Sequence, residues 1–278
     1  MWLLKLLLGL AAFSYLAILA ALYFGQTKLV FPAHAAAGGG PLPPGAERID
    51  LATPDNNRLS GIHIRPRAPD PHHPLILGFG GNAWNADDVA LTLASLYPAH
   101  EIVVFHYRGY RPSSGEPSAA ALLADAPAIH DEITRRYRPS SIVAVGFSVG
   151  TGVAAHLAKE RPLKGIILVT PFDSLASVAA GHYKWLPVRF LFRHEMPSAE
   201  NLRQTRTPVA IVAASNDTLI LPARTEALRQ AIPNLAYDRT ISGTGHNDIY
   251  AHPDFVPSMR EALEQVTAAT PPTPSPRP

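Results

Sequence analysis

The chain has 278 residues, 47% of them hydrophobic, and contains no cysteine. This length suits one domain with a core of its own, and the lack of cysteine excludes disulfides, thiolate metal ligands and a cysteine nucleophile. The formal net charge is +2 and the basic residues are scattered, so the charge pattern gives no sign of a nucleic-acid partner.

The first predicted element is a helix that crosses a membrane. Residues 2–24 are almost wholly apolar and carry one charge, Lys5. At about 1.5 Å per residue, a helix of this length reaches across a hydrocarbon core of roughly 30 Å. A cleaved signal peptide is the alternative, because Ala33-His34-Ala35 matches a cleavage pattern, but signal cores are usually shorter. We predict an uncleaved anchor at residues 1–30 and a linker at residues 31–47.

The charges beside this span give a weak indication of its orientation. The N-terminus and Lys5 precede it, and Lys28 follows it closely. The short basic segment on the N-terminal side favours retention in the cytoplasm. The rest of the chain is then predicted to lie outside the cytoplasm, in the periplasm if the source is a bacterium.

Residues 48–268 show the alternation of strands and helices that is typical of an α/β domain. Two short strands, at 48–52 and 59–65, are predicted to form a hairpin at the edge of a sheet. Buried parallel strands are predicted at 75–78, 102–106, 142–146, 165–169, 209–213 and 236–241. Helices are predicted at 87–96, 119–137, 150–159, 222–230 and 257–267. The alternation predicts a mostly parallel central sheet flanked by helices.

Gly146-Phe147-Ser148-Val149-Gly150 matches the pattern G-x-S-x-G and stands where a predicted strand gives way to a predicted helix. At such a turn, small residues let the strand and the helix pass close together, and the serine hydroxyl is exposed at the carboxyl edge of the sheet. The pentapeptide alone is common by chance, so its position between these two elements is what makes it specific. Ser148 is the predicted nucleophile.

A serine hydroxyl is a weak nucleophile unless a base takes its proton, and the usual base is histidine. Among twelve histidines, His246 follows the last predicted strand and precedes the last predicted helix. In this architecture the base belongs at that point of the chain. His252 lies six residues later, while His106 and His156 fall on a predicted strand and helix, where structural roles are more common. His246 is the predicted general base.

The acid that orients the base should follow a strand after the nucleophile and precede the histidine. Asp217 meets this requirement, because it comes shortly after the strand at 209–213. Asp173, which follows the strand before that one, is the alternative. Asp248 is very close to His246 along the chain and is a weaker candidate.

Acyl transfer builds negative charge on a carbonyl oxygen, and preorganised backbone N–H groups stabilise that charge. One predicted donor is the amide of Val149, directly after the nucleophile. The other is the amide of Asn82 in the loop after the strand at 75–78, with Gly81 as the alternative.

The glycines of the same loop permit a competing interpretation, because residues 78–83 also match the dinucleotide fingerprint G-x-G-x-x-G/A. A dinucleotide site needs an acidic residue at the end of the next strand, and that strand ends at Phe105-His106-Tyr107. No metal-binding motif is present either. We therefore expect neither a cofactor nor a metal.

Together these motifs resemble the membrane-anchored α/β hydrolases of the Bem46-like, abhydrolase-domain group of serine hydrolases. The resemblance covers most of the chain, including residues 23–32, Tyr107-Arg108-Gly109-Tyr110 and the three predicted catalytic residues. It departs in one loop, where the family commonly has His-Gly-Asn-Ala-Gly-Asn and this chain has Gly80-Gly81-Asn82-Ala83-Trp84-Asn85. The resemblance implies an α/β-hydrolase fold, hydrolysis of esters or thioesters, often of acyl or lipid type, and no cofactor.

Two further segments have predicted roles. Residues 174–206 are predicted to form a small lid whose aromatic side chains line an acyl pocket or contact a bilayer, with an ordinary amphipathic cover of the sheet as the alternative. Arg108, Tyr110 and Arg111 are interpreted either as site residues or as residues that only hold a loop. The proline-rich residues 269–278 are predicted to be a disordered tail.

The leading functional hypothesis is a serine hydrolase that forms an acyl-enzyme on Ser148 and is attached to a membrane. The alternatives are a catalytically silent, membrane-tethered binding protein on the same fold, and a serine peptidase. The partners expected are a small-molecule or lipid ester and a membrane.

Overall fold

The structure is a computed structural model that describes residues 1–36 and 38–269. Beyond Ala269, the predicted tail lies outside the described residues. One eight-stranded sheet has the strand order β1-β2-β4-β3-β5-β6-β7-β8. Its strands are β1 Glu47–Ala52, β2 Arg58–Ile64, β3 Leu75–Phe79, β4 Ile102–Phe105, β5 Ile142–Phe147, β6 Gly165–Val169, β7 Val209–Ala214 and β8 Leu235–Ile241.

The sheet is mostly parallel, as predicted. The β1–β2 hairpin is antiparallel and lies at one edge, and β2 is also antiparallel to β4. The pairs from β4 through β8 are parallel. Every residue of β3, β5 and β6 is buried, because helices cover both faces of this part of the sheet.

Nine α-helices accompany the sheet within the described residues. They are α1 Trp2–Val30, α2 Ala86–Leu96, α3 Ala119–Tyr137, α4 Val149–Glu160, α5 Leu175–His182, α6 Val188–Leu191, α7 Ser198–Arg203, α8 Pro222–Arg229 and α9 Phe255–Ala268. Leu93 of α2 and Met259 of α9 belong to the core on one face of the sheet. Leu122 of α3, Val153 of α4 and Leu228 of α8 belong to the core on the other. The predicted parallel strands and helices are therefore present, and their ends differ from the predictions by two residues or fewer.

Residues 174–206, which we call the lid segment, contain the three short helices α5, α6 and α7. The segment connects β6 to β7 and thus begins at the carboxyl edge of the parallel strands. Ser174 caps α5 with its side-chain oxygen, which accepts a hydrogen bond from the amide of Ser177.

Helix α1 is long and apolar enough to cross a membrane by length and composition, and its apolar stretch is not buried against the protein. The segment that follows α1 takes part in the fold. Phe31 is 2% exposed and Ala36 is 6% exposed, and both belong to the core beside α3 and α4. This packing fixes the C-terminal end of α1 against the domain.

Candidate active site

Ser148 stands at a sharp turn between β5 and α4. Its backbone has φ 51° and ψ −117°, a conformation that L-residues rarely adopt and that is strained for a serine. The flanking glycines make the turn possible by letting backbones approach closely. A Cβ added to Gly150 would lie 2.2 Å from the carbonyl oxygen of Phe79, and one added to Gly146 would lie 2.5 Å from that of Gly150. The turn presents the hydroxyl at the carboxyl edge of the sheet.

The structure brings Ser148, His246 and Asp217 together. The Nε2 atom of His246 lies 2.9 Å from the Oγ atom of Ser148, and its Nδ1 atom lies 2.7 Å from Oδ2 of Asp217. The histidine is 8% exposed and the aspartate 5% exposed, whereas the serine is half-buried. When Nδ1 carries the imidazole proton and donates a hydrogen bond to the carboxylate, Nε2 is free to accept the proton of the serine hydroxyl.

Asp217 is itself held by the backbone of its own loop. Its Oδ1 atom accepts hydrogen bonds from the amides of Leu219, at 2.9 Å, and Ile220, at 2.7 Å. One carboxylate oxygen is thus fixed by the loop while the other faces the imidazole. This arrangement limits rotation of the carboxylate and therefore fixes the orientation of His246.

The alternative acids and bases have other partners. Asp173 accepts a hydrogen bond from Nη1 of Arg224 at 3.1 Å, and Asp248 accepts one from the amide of Gly245. His106 lies 3.0 Å from Asp87, and burial lowers the pKa of this histidine. The contacts of these residues indicate structural roles.

Both predicted oxyanion donors border the cavity at Ser148. Val149 is the first residue of α4, and the first amides of a helix are not used within it, so they suit a developing negative charge. Asn82 lines the same cavity as Ser148 and Val149. A Cβ added to Gly81 would lie 3.7 Å from Cβ of Ser148, so the loop that contains the dinucleotide-like pattern passes beside the serine.

Two tyrosine hydroxyls bind the backbone of the loop at residues 80–82, whereas the sequence analysis considered only Tyr110 as a residue that holds a loop and did not identify which loop. The hydroxyl of Tyr107 donates to the carbonyl of Gly80 at 2.8 Å, and that of Tyr110 donates to the carbonyl of Asn82 at 2.6 Å. Burial raises the pKa of Tyr110, so its hydroxyl remains protonated and a donor at neutral pH. The nearby motif Tyr107-Arg108-Gly109-Tyr110 was the available signal, but the loop that it contacts lies more than twenty residues away.

Arg108, between the two tyrosines, anchors their turn to α3. Its Nε atom donates to Oδ2 of Asp125 at 3.1 Å, and its guanidinium also pairs with Asp55. Burial raises the pKa of Asp125, and the pairing with Arg108 opposes that shift. Arg108 therefore acts on the tyrosine turn and has no contact with the serine.

The loop that departs from the family pattern is accommodated by packing. The Trp84 ring contacts Phe147 and Tyr250 edge to face, with centroids 5.1 and 5.3 Å away. Asn85 caps α2 by accepting a hydrogen bond from the amide of Asp87. The tryptophan fills space between β5 and the segment after His246, and the asparagine fixes where the helix begins.

We expect Tyr110→Phe to lower kcat about tenfold with little change in KM. The substitution removes the hydroxyl that fixes Asn82, and a displaced donor should cost less than the roughly 10²–10³-fold expected for a lost one. Steady-state kinetics of ester hydrolysis would measure kcat and KM separately. Tyr97→Phe is the matched control, because it removes another buried hydroxyl that donates to a backbone carbonyl, that of Met259. Equal losses of kcat in both variants would contradict the positioning role.

A cavity of about 420 Å³ extends from Ser148. The polar groups of Ser148 and Asn82 form part of its wall. The rest of the wall is largely apolar and comes mainly from the lid segment, with Leu175, Val178 and Phe192 among its residues. Such a cavity suits an ester with an apolar acyl group, because polar atoms are available at the carbonyl and apolar contacts along the chain.

Comparisons with known proteins agree with this architecture. A family model described as the alpha/beta hydrolase fold matches residues 75–201. An uncharacterised protein of Mycobacterium tuberculosis is 33% identical over 220 residues, which are 75% of this chain and 77% of the other. The lysophosphatidylserine lipase ABHD12 of Danio rerio is 31% identical over 171 residues, 53% of this chain and 44% of that protein.

Solved structures share the fold at lower sequence identity. An esterase of Pyrococcus furiosus has a TM-score of 0.66 at 17% identity and covers 83% of this chain and 96% of its own. An α/β hydrolase of Vibrio vulnificus has a TM-score of 0.68 at 19% identity and covers 87% of this chain and 91% of its own. The protein has the α/β-hydrolase fold. It belongs to the α/β-hydrolase family, whose members similar to it include esterases and lipases.

Proposed function

We propose that the protein is a serine hydrolase that cleaves carboxylic esters or thioesters of acyl or lipid type. The observation that carries the proposal is the hydrogen-bonded series from Ser148 through His246 to Asp217, in which Ser148 lines a largely apolar cavity. The names of the relatives support it, since one is a lysophosphatidylserine lipase and a structural neighbour is an esterase.

In the first half of the reaction, Nε2 of His246 takes the hydroxyl proton of Ser148 while Oγ forms a bond to the carbonyl carbon of the substrate. The carbonyl oxygen becomes an oxyanion that the amides of Val149 and Asn82 stabilise. The tetrahedral intermediate then collapses. The bond to the leaving oxygen or sulfur breaks, and His246 gives its proton to that atom, so an alcohol or thiol departs and an acyl-enzyme remains.

In the second half, water takes the place of the alcohol. His246 accepts a proton from the water, whose oxygen bonds to the acyl carbon, and the proton then passes to Oγ of Ser148 as the ester bond to the enzyme breaks. A carboxylic acid leaves and the enzyme returns to its starting state. Asp217 stays ionised throughout and stabilises the imidazolium that forms in each half.

Attachment to a membrane through α1 is part of the proposal. The helix has the length and composition of a single span, and Phe31 secures the chain to the domain directly after it. Lys5 and the N-terminus favour the cytoplasmic side for the start of the helix, which puts the hydrolase domain outside the cytoplasm.

A fluorophosphonate probe, which reacts with activated serines, tests the proposal. We expect the probe to label the full-length protein in detergent, and we expect Ser148→Ala to abolish the labelling. Ser140→Ala, which removes an exposed hydroxyl just before β5, is the matched control and should label normally. Turnover of p-nitrophenyl esters by the wild type separates an enzyme from a silent binding protein. Folded wild-type protein without labelling or turnover would contradict the proposal.

A further inference from the structure

A second cavity lies beside the cavity at Ser148. It has a volume of about 220 Å³ and lies between α1 and the lid segment. Val30 of α1 and Ala179, Tyr183 and Phe192 of the lid segment line both cavities. The two spaces are therefore neighbours that share these parts of their walls. We call the second one the helix–lid groove.

The walls of the helix–lid groove are suited to a hydrocarbon chain. Leu22 and Leu29 contribute from α1, and Leu186, Val188 and Leu191 contribute from the lid segment. Gln26 is also in the wall, and both polar atoms of its side-chain amide form hydrogen bonds within the protein. Its Nε2 atom donates to the carbonyls of Tyr23 and Leu191, and its Oε1 atom accepts from the amide of Arg193. A ligand beside Gln26 therefore needs no polar group to satisfy the side chain.

These hydrogen bonds also fix α1 as a wall of the groove. A further contact joins Oγ1 of Thr27 to Nε2 of His194 at 3.0 Å. Val30 is the last residue of α1, and its carbonyl accepts a hydrogen bond from Nδ2 of Asn82, the residue whose amide is the second predicted oxyanion donor. The end of α1 therefore connects the groove to the reacting end of the cavity.

The lid segment also contacts α1 within the apolar part of that helix. The Tyr15 hydroxyl donates to the carbonyl of Trp185 at 3.2 Å, and Tyr15 lies eight residues before Tyr23, about 12 Å along the helix. Trp185 and Phe190 are exposed, and the Arg189 guanidinium lies 4.6 Å from the Phe190 ring centroid. Exposed aromatic side chains next to cations are typical of protein surfaces at a membrane interface.

From these observations we infer that the helix–lid groove admits one acyl chain of a bilayer lipid sideways from the leaflet and guides its ester to Ser148. The inference rests on the proposed function and specifies its substrate class as long-chain acyl esters of membrane lipids. Helix α1 is then a determinant of substrate specificity as well as an anchor. Arg189 and Arg193 beside the groove suit a lipid with an anionic headgroup.

Substitution at the junction of the two cavities tests the groove. Ala179→Phe places a ring where both cavities meet, and Val30→Phe does so from the opposite wall. For the wild type, we expect kcat/KM to rise by up to about fourfold per added methylene as p-nitrophenyl esters lengthen from acetate to palmitate. Both variants should still be labelled by the fluorophosphonate probe, and their kcat/KM should fall at least tenfold more for palmitate than for acetate.

Ala180→Phe is the matched control, because Ala180 is the next residue of α5, is exposed and lies outside both cavities. It should retain the wild-type dependence on chain length. If both junction variants hydrolyse palmitate as the wild type does, or lose acetate and palmitate activity equally, the groove is not the acyl path. Failure of the proposed function has a different signature, because labelling and acetate turnover would then be missing in the wild type itself.

The lateral route is tested in vesicles of phosphatidylcholine and phosphatidylglycerol. A fluorogenic palmitoyl ester that does not exchange between vesicles is placed either in the vesicles that hold the full-length enzyme or in separate ones. Entry from the leaflet predicts hydrolysis in the shared vesicles and at least tenfold less in the separate ones. Equal rates in the two arrangements would overturn entry from the bilayer, because the enzyme would then reach ester outside its own membrane.

Discussion

Replacement of His246 with alanine should lower kcat for ester hydrolysis by roughly 10⁶-fold, the loss expected when the base of a serine nucleophile is removed. The imidazole Nε2 lies 2.9 Å from the hydroxyl oxygen of Ser148, so its removal leaves the serine without a proton acceptor in contact. Labelling by the fluorophosphonate probe should fall below detection for the same reason. Ground-state binding of the ester should change little, since the apolar cavity is intact.

His252→Ala is the control for His246→Ala, because His252 is the nearest histidine along the chain. Its Nδ1 atom accepts a hydrogen bond from the amide of Asp254, and its loss should leave kcat unchanged. The double variant of Ser148 and His246 gives a further check. Residues that act as one unit are not additive, so the double variant should be no slower than either single one. Residual activity of His246→Ala within tenfold of the wild type would rule out this histidine as the base.

Asp217→Asn should lower kcat by roughly 10⁴-fold while the protein stays folded. The carboxylate accepts a hydrogen bond from the Nδ1–H of His246, with 2.7 Å between Nδ1 and Oδ2, and thereby selects the tautomer that leaves Nε2 free. An amide has almost the same shape, but its NH₂ group can turn toward Nδ1 and stabilise the wrong tautomer. Thermal unfolding should separate this effect from loss of the fold, because the bonds of Oδ1 to the amides of Leu219 and Ile220 can persist in the variant.

The same change at Asp173 is the matched control for Asp217→Asn. Asp173 also follows a parallel strand at the carboxyl edge, but its carboxylate accepts a hydrogen bond from Arg224. Asp173→Asn should therefore keep kcat within a few-fold of the wild type. The opposite ranking, with the larger loss at Asp173, would show that the structure pairs His246 with the wrong acid.

A large part of the fold was predictable from local patterns. The apolar runs of β5, β6 and β7 are short, rich in β-branched residues and bounded by turn residues, and such runs become buried parallel strands because both of their faces must be covered. The strand-to-helix turn at Ser148 was predictable for a related reason. Gly146 and Gly150 lack a Cβ and so let the strand and the helix pass close together, as this kind of turn requires.

The sequence narrowed the acid of the triad to a few candidates and favoured Asp217, but it did not exclude Asp173. Chain order placed Asp173 and Asp217 after successive strands of one sheet edge, and order alone does not give the distance of either carboxylate from an imidazole. The structure puts Asp217 in contact with His246 because β7 and β8 are neighbours and their following loops meet, as the hydrogen bond from the amide of Asn216 to the carbonyl of Thr244 shows.

The sequence by itself determined the order of strands and helices, the strand-to-helix turn at Ser148 and the apolar character of α1, because each depends on neighbours a few residues apart. Tertiary structure alone decided that Tyr110 holds Asn82 and that α1 forms one wall of the groove beside the cavity. Those contacts join residues from elements distant in the chain. They depend on how loops and helices pack in space, and no local spacing of residue types encodes that packing.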